Sequence, residues 1–290
     1  MSVNGDQERY GQELELAQRL AKEAGALILS RWDSDFKVSH KGAVDLVSEL
    51  DLAAELLIRE GLSAAFPSDF LCGEEGSAAL LEGVEEREAS ARLIEHAVRL
   101  SENGRVWYID PLDGTTNFSH GLPHFCVSIA LFVEGVPTLG VIYEPTRDWC
   151  FSALQGRGAW RDERPLKVSA CEELSRALIA TGFPYDRHES DDDNIEAARA
   201  VLKRAQGLRR AGAAALDLAF VAAGWLDAYW ERKLKPWDVA AGALIALEAG
   251  ATLTGFSPER PEAWLEEGAL ICASTSALHE QLSACVRGAS

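Results

Sequence analysis

The sequence lacks three features that mark common protein classes: closely spaced cysteine pairs, long apolar runs and an excess of basic residues. None of the six cysteines forms a C-x-x-C pair, which argues against a zinc cluster. The longest apolar window, residues 239–247, is too short to span a bilayer. The acidic N-terminal stretch does not resemble an ordinary signal peptide. These absences predict a cytoplasmic protein whose cysteines are thiols.

The charge balance restricts the possible partners. The chain has 46 acidic residues against 28 basic ones, a net charge of −18. Nucleic acids and anionic membranes select for an excess of Lys and Arg, so neither is expected as a partner. An anionic substrate would be repelled unless bound cations reverse the local charge. A phosphorylated substrate would therefore require a metal ion.

Apolar spacing predicts the secondary structure. Helices are predicted over residues 12–32, 52–62, 80–102, 213–223, 236–249 and 276–285. Strands are predicted over residues 106–109, 126–133, 138–143, 151–153, 159–161, 177–181, 227–231 and 270–273. The interleaved order, with hairpins in the middle, predicts an α/β fold built as a layered sandwich rather than around a purely parallel sheet. A boundary near residue 168 would separate two subdomains, residues 1–168 and 169–290.

The most informative segment is WYIDPLDGTTNF, residues 107–118. An apolar strand there ends in two aspartates three positions apart, Asp110 and Asp113. Asp-Pro and Asp-Gly turns are ordinary in loops. Here, however, the strand delivers both acids to one point, and the Leu112 carbonyl can face the same side. Two cations about 3.5–4 Å apart at such acids could clamp the attacking and leaving oxygens of a phosphoryl transfer.

A Gly-Thr-Thr-Asn turn follows these acids directly. Thr115 or Thr116 could simply cap a short helix. The amides of Gly114 and Thr115 could instead hold phosphate oxygens, while the Thr115 hydroxyl orients a water molecule. The two interpretations are compatible, because a helix cap and an anion site share the same geometry.

Other acids become candidates only in combination. The pair Glu74 and Glu75 follows an apolar segment and lies between glycines, so one carboxylate could complete a cation site. Residues 41–51 are predicted to form a loop, a strand and a helix start at Asp51, which could accept a hydrogen bond from a catalytic hydroxyl. Asp238 lies in the first turn of a Pro-initiated helix, where the macrodipole alone favours an acid by about 0.3–1 kcal/mol.

In this order, K-x-x-x-D, G-E-E, D-P-L-D-G-T-T-N-F and P-W-D-V-A-A-G resemble the motifs of the inositol monophosphatase family. The resemblance covers nearly the whole chain. It implies a layered αβαβα sandwich of the inositol monophosphatase and fructose-1,6-bisphosphatase type, usually dimeric. It also implies Mg²⁺-dependent hydrolysis of phosphate monoesters, commonly inhibited by Li⁺.

The resemblance also implies roles for individual residues. Glu74, Asp110 and the Leu112 carbonyl would hold a first cation, with Glu74 touching a weaker third ion. Asp110, Asp113 and Asp238 would hold a second. Thr115, polarised by Asp51 and assisted by Glu74, would help to activate water. Substrate contacts would come from Asp113, Gly114, Thr115, Gly212, Ala213, Ala214 and Glu231. Lys41, Asp45 and Glu75 would lie behind the ligands.

Several alternatives stay open on the sequence alone. The leading substrate is myo-inositol 1-phosphate, and the alternatives are fructose 1,6-bisphosphate and histidinol phosphate. Thr116 disfavours a nucleotide substrate, because nucleotide-type relatives tend to have Lys there. A phosphatase with an aspartyl-phosphate nucleophile would need D-x-D, which is missing here. A non-catalytic metal- or partner-binding protein could use the exposed helix over residues 80–102 as a docking face.

Overall fold

The computed structural model describes residues 10–32, 43–75 and 86–288, without the side chains of residues 43–48, 86–90 and 101. The helices are α1 (Gly11–Trp32), α2 (Ala43–Ala65), α3 (Glu86–Ser101), α4 (Thr115–Ser119), α5 (Ile195–Leu202), α6 (Ala214–Ala222), α7 (Pro236–Glu248), α8 (Trp264–Glu267) and α9 (Ser276–Arg287). The strands are β1 (Phe70–Gly73), β2 (Arg105–Asp113), β3 (Cys126–Val133), β4 (Val136–Glu144), β5 (Trp149–Leu154), β6 (Ala159–Arg161), β7 (Arg164–Pro165), β8 (Leu178–Thr181), β9 (Gly207–Arg209), β10 (Ala228–Glu231), β11 (Thr252–Gly255) and β12 (Leu270–Ala273).

The strands form two sheets. The first has the order β1-β2-β3-β4-β5-β6-β7 and is antiparallel except for the β1–β2 pair. The second has the order β11-β12-β10-β8-β9, in which β8 runs parallel to both β9 and β10. The sheets lie on either side of residue 168 in the sequence, and the proposed division into two subdomains at that residue stays a proposal.

Helices cover both faces of each sheet. Successive side chains of a strand point to opposite faces, so each strand contributes to the core on either side. In β2, Trp107 and Ile109 pack toward α1 and α2, whereas Val106 and Tyr108 pack toward α6 and α7. In the second sheet, Tyr229 joins the core on the α6–α7 side, and Trp230 joins the core on the α5–α9 side. The order of layers is therefore helices, sheet, helices, sheet, helices, which confirms the predicted αβαβα sandwich.

The middle helical layer is packed unusually close to its neighbours. A Cβ atom added at Gly140 of β4 would lie 2.8 Å from the backbone oxygen of Ala241 in α7. A Cβ atom at Gly242 would lie 2.7 Å from Cβ of Leu218 in α6. Because these two glycines have no side chain, α7 can pack closely against both β4 and α6. The first turn of α7 carries Asp238, so this packing also fixes the position of that carboxylate.

Most predicted elements are confirmed to within a few residues, but one is wrong. Residues 43–51 belong to α2 and form neither a strand nor a helix start at Asp51. Leu50, Ala54, Ile58 and Leu62 recur every four residues and are all buried, so the buried face of α2 continues past Asp51 without a break. Helices α5 and α8 and strands β7, β9 and β11 were not predicted, and each is short.

The charged helix predicted over residues 80–102 is confirmed for residues 86–101; residues 80–85 lie outside the described part of the chain. It covers the edge strand β1, with Ala97 fully buried and the His96 ring 5.3 Å from the Phe70 ring. Within the described residues, none of the helices has the length and apolar composition that a membrane span requires. All six cysteines lie in the described part and are free thiols.

Candidate active site

The two aspartates of the DPLDG segment lie at the end of β2, as predicted. Asp110 pairs with Ser128 and Asp113 with Cys126 of β3, and the register shifts between the two pairs. This irregularity takes the intervening residues out of the ladder. The Leu112 N–H then donates to Asp110 Oδ1 at 2.9 Å. A bulge at a strand end is a common way to redirect side chains toward a site.

A single cleft of about 260 Å³ collects the predicted residues. The predicted residues in its lining are Glu74, Asp110, Leu112, Asp113, Gly114, Thr115, Gly212, Ala213, Ala214, Glu231 and Asp238, and its basic residues are Arg210, Arg232, Lys233 and Lys235. These residues come from both sheets and from α7, so segments up to 164 positions apart in the sequence meet at one point. Asp51 is buried in α2 and interacts electrostatically with Glu74, Glu75 and Asp110. The structure therefore brings the predicted acids together.

Backbone N–H groups orient three of the acids, and Asp113 accepts a bond from the Ala214 N–H as well as from the Ala215 N–H. The bonds are Leu112 N to Asp110 Oδ1 (2.9 Å), Ala215 N to Asp113 Oδ2 (2.8 Å) and Lys235 N to Asp238 Oδ2 (2.7 Å). Two of these donors lie at the starts of α6 and α7. Asp110 and Asp238 each have a second carboxylate oxygen outside these bonds, so each can serve as a ligand without losing its orientation.

Burial and mutual repulsion raise the pKa values of the clustered carboxyls. For Asp110 the pKa is well above its usual value, first because of burial and then because of Glu74 and Asp113. Burial, followed by Asp238, raises the pKa of Asp113 to about 8. Burial likewise raises the pKa of Asp238 to about 6 and that of Glu231 to about 7. A cation would remove the repulsion that keeps protons on this cluster.

The donor chemistry of the cleft fits a hard divalent cation. The candidate ligands are carboxylates and one carbonyl, and oxygen ligands are those that Mg²⁺ prefers. Within the described residues, no group of three or more His, Cys, Asp or Glu side chains is already arranged to hold a metal ion. Side-chain rotations within the cleft would have to bring the free oxygens together, so the ligand set stays a proposal.

Three helix starts contribute residues to the lining of the cleft. Helix α4 starts at Thr115, α6 at Ala214 and α7 at Pro236. The N-terminus of a helix has a partial positive charge and exposed N–H groups, and both favour anions. Gly114, which precedes α4, has a φ of 98°, and a Cβ atom there would lie 2.9 Å from the His124 backbone oxygen. Only glycine suits that position, so the sharp turn into α4 depends on it.

The Thr115 hydroxyl does not contact Asp51 in this structure. It donates to the Leu112 carbonyl oxygen at 3.0 Å, which places it beside one of the proposed ligands. Asp51 Oδ1 is buried and has no hydrogen-bond partner among the described residues. Burial, followed by repulsion from Glu75 and Glu55, raises the pKa of Asp51 to about 8. Polarisation of Thr115 by Asp51 therefore stays a prediction.

Behind the acids lies Glu55, which the sequence motifs did not single out. Its Oε2 accepts the Glu75 N–H at 2.7 Å, and its other oxygen pairs with Arg59. Glu55 lies one helical turn after Asp51 on the buried face of α2, and a buried acid on such a face was the available signal. Lys41, also expected behind the ligands, lies outside the described residues, as does the side chain of Asp45.

Replacing Glu55 by Ala is expected to lower the free energy of unfolding by about 1–3 kcal/mol. The substitution leaves the Glu75 N–H and the half-buried Arg59 without their carboxylate partner. Glu60 lies exposed on the same helix, so Glu60→Ala is the matched control. Urea denaturation of both variants would measure the difference. Equal effects of the two substitutions would show that the Glu55 contacts do not stabilise the fold.

Gly182 and Tyr185 also line the cleft without having been predicted. For Gly182, the only indication in the sequence was that a glycine directly follows the β8 strand. Tyr185 is 89% exposed and also borders a wider groove of about 1110 Å³ beside α3. The cleft thus opens toward a larger surface depression on the α3 side.

Comparison with known proteins shows which family the chain resembles along its length. The model described as the inositol monophosphatase family matches residues 11–289. The chain is 38% identical to the inositol-1-monophosphatase of Synechocystis over 271 residues, which cover 93% of this chain and 87% of the relative. It is 41% identical over 269 residues to a Pseudomonas aeruginosa protein named Nus factor SuhB, covering 90% and 91% of the two chains.

A solved structure shows the same likeness in three dimensions. The inositol monophosphatase from Anabaena superposes with a TM-score of 0.80 at 36% sequence identity. The superposition covers 96% of each chain. The similarity in sequence and in fold therefore extends over nearly the whole described chain.

Proposed function

Because the chain belongs to the inositol monophosphatase family, we propose that it hydrolyses the phosphate monoester of a small polyol, with myo-inositol 1-phosphate as the leading substrate and Mg²⁺ as cofactor. The observation that carries the proposal is the convergence of Glu74, Asp110, Asp113 and Asp238 in one cleft bordered by helix starts. Carboxylates alone would repel a phosphate. Carboxylates that hold cations, with helix N-termini beside them, would bind it.

The chain's own residues would divide the work. Glu74, Asp110 and the Leu112 carbonyl would hold one ion, and Asp110, Asp113 and Asp238 another. Two bound Mg²⁺ ions, with a weaker third, would supply Lewis-acid stabilisation of the phosphoryl group and lower the pKa of water. The Thr115 hydroxyl would orient the attacking water for in-line approach, and Asp51 would accept a hydrogen bond from that hydroxyl and so raise the basicity of its oxygen. Glu74 would help to hold the same water.

The opposite wall of the cleft would hold the substrate. Residues 212–214, which lead into α6, line the cleft next to Asp113, and Gly212 has a φ of 86°, a conformation that favours glycine. Glu231 lies at the end of β10 and can accept hydrogen bonds from hydroxyl groups. Gly114 and Thr115 would hold phosphate oxygens. A polyol phosphate would thus be bound at both ends.

As the family resemblance implies, we also propose that the protein is cytoplasmic, forms a homodimer and is inhibited by Li⁺. The six free cysteines are consistent with a reducing compartment.

Released phosphate should be measured for a panel of esters, each with Mg²⁺ and with a chelator. We expect turnover of myo-inositol 1-phosphate to exceed that of fructose 1,6-bisphosphate, histidinol phosphate and 3′-phosphoadenosine 5′-phosphate. Removal of Mg²⁺ should lower the rate by at least about 10²-fold, because metal ions contribute several kcal/mol to such transition states. Equal inactivity toward every polyol phosphate would refute the substrate class, and an undiminished rate in chelator would refute the cofactor.

A second candidate function is binding of a protein partner without turnover. It is favoured by the relative at 41% identity that carries the name Nus factor SuhB. The net charge of −18 disfavours direct contact with nucleic acid, so a protein partner would be expected, with α3 as the docking face. The complete set of acidic residues in the cleft favours the enzyme.

A further inference from the structure

The Glu231 carboxylate is held on one side by Tyr229. The Tyr229 hydroxyl donates to Glu231 Oε2 at 2.5 Å. The two residues lie two positions apart in β10, so their side chains leave the same face of the strand. Tyr229 is fully buried in the core between the second sheet and α6. Its ring cannot move freely, and the hydroxyl is therefore a fixed donor.

On the other side the same carboxylate packs against Gly182. A Cβ atom at residue 182 would lie only 2.0–2.2 Å from the three carboxylate atoms of Glu231. The parallel register pairs Trp230 with Thr181, which places Gly182 beside Glu231 at the ends of β10 and β8. Gly182 does not adopt a left-handed φ. The requirement for glycine is thus steric and concerns the space that Glu231 fills.

Hydrogen bonds from Asn194 keep the backbone at Gly182 from moving away from Glu231. Asn194 Nδ2 donates to the Gly182 oxygen at 2.6 Å and to Thr181 Oγ1 at 2.9 Å. Asn194 Oδ1 accepts the Trp230 Nε1–H at 2.8 Å. One buried amide therefore joins the ends of β8 and β10. Any side chain added at residue 182 has to displace the Glu231 carboxylate instead.

The remaining oxygen, Glu231 Oε1, accepts no hydrogen bond from the described residues, and Glu231 lines the cleft. We propose that Tyr229 and Gly182 are positioning residues that hold Glu231 so that Oε1 is the acceptor for a hydroxyl of the leaving alcohol. The site thereby selects polyol phosphates over esters whose leaving group has no hydroxyl. This inference rests on the proposed phosphatase function and adds the residues that determine its selectivity.

The test compares kcat/KM for myo-inositol 1-phosphate with kcat/KM for phenyl phosphate, whose leaving group presents no further hydroxyl. Wild-type protein should prefer the inositol ester. Tyr229→Phe removes only the oxygen that anchors Oε2, and Gly182→Ala displaces the carboxylate. Each should lower the ratio of the two kcat/KM values by about 10-fold or more, mainly through KM for the inositol ester, as expected for a lost hydroxyl contact.

Tyr143→Phe is the matched control, since the Tyr143 hydroxyl also donates to a carboxylate, Asp148 Oδ1 at 2.9 Å, but lies outside the cleft. It should retain the wild-type ratio. Failure of wild-type protein to hydrolyse either ester would refute the proposed function itself. Hydrolysis of both esters with an unchanged ratio in Tyr229→Phe would overturn only this inference. Thermal melting of Gly182→Ala would separate a local displacement from general unfolding, and Tyr229→Phe keeps the ring that fills the core.

Discussion

Replacing Asp113 by Asn is expected to lower kcat for the polyol phosphate by at least about 10³-fold, since each lost tenfold corresponds to 1.36 kcal/mol and metal ions supply several kcal/mol. Asp113 is the carboxylate that joins the two parts of the site. It ends β2 of the first sheet and accepts the Ala215 N–H from the start of α6. Asn removes the charge that the second cation would need, and its amide oxygen can still accept that hydrogen bond.

The fold of the Asp113→Asn variant should therefore remain intact. In chelator the free energy of unfolding should be unchanged, because the pKa of Asp113 is raised to about 8 and at neutral pH Asn therefore replaces a carboxyl that is already mostly protonated. Circular dichroism and urea denaturation would test this beside the kinetic assay at saturating Mg²⁺. Asp191→Asn makes the same chemical change at an exposed position between β8 and α5 and should have wild-type activity. Near-native turnover by Asp113→Asn would instead favour the partner-binding role.

The second large effect concerns stability in the absence of metal. The metal-free protein should lose free energy of unfolding as the pH rises from about 4 to about 8. Burial raises the pKa values of both Asp51 and Asp113 to about 8 in the folded protein, and unfolding restores the ordinary values. Between those limits the folded state binds more protons than the unfolded chain, so stability is full below the window and falls through it. The total loss should be on the order of several kcal/mol.

Magnesium should reverse this loss most strongly at high pH. Ligand carboxylates must be deprotonated to bind a cation, and a ligand that binds only the folded state stabilises it. Urea denaturation at pH 5 and pH 8, with excess Mg²⁺ or with a chelator, would measure the difference. Sodium chloride at matched ionic strength is the control for general screening. A stabilisation by Mg²⁺ that is equal at both pH values would contradict a carboxylate site in this cleft.

The sequence predicted the elements of the fold better than their boundaries. Strands such as β3, Cys126–Val133, were predicted at the correct residues, because apolar residues buried on both faces of a strand form a continuous run. The start of α2 was placed too late, since residues 41–51 were interpreted as a loop and a strand, although Leu46, Leu50 and Ala54 already follow the four-residue spacing of a helix. Local periodicity was the stronger signal there.

For the site, the sequence predicted which acids matter but not how they are held. The order of the motifs was enough to propose that Asp110, Asp113 and Asp238 meet. The contacts that orient them join distant segments: the Ala215 N–H and Asp113 are 102 residues apart, and the Glu75 N–H and Glu55 are 20 apart. Such contacts arise from packing between the layers of the fold, and a local sequence pattern does not predict them. Tyr229 and Gly182 were missed for the same reason.

The close packing of α7 against β4 means that residues of the hydrophobic core set the spacing of the carboxylates in the cleft. Asp238 lies in α7, which packs almost directly on Gly140. A methyl group added at residue 140 would push α7 away from the first sheet and so increase the distance from Asp238 to Asp110 and Asp113. Cations of different radius demand different spacings. Preference for one ion over another can therefore change through replacements in the hydrophobic interior, with every coordinating side chain left as it is.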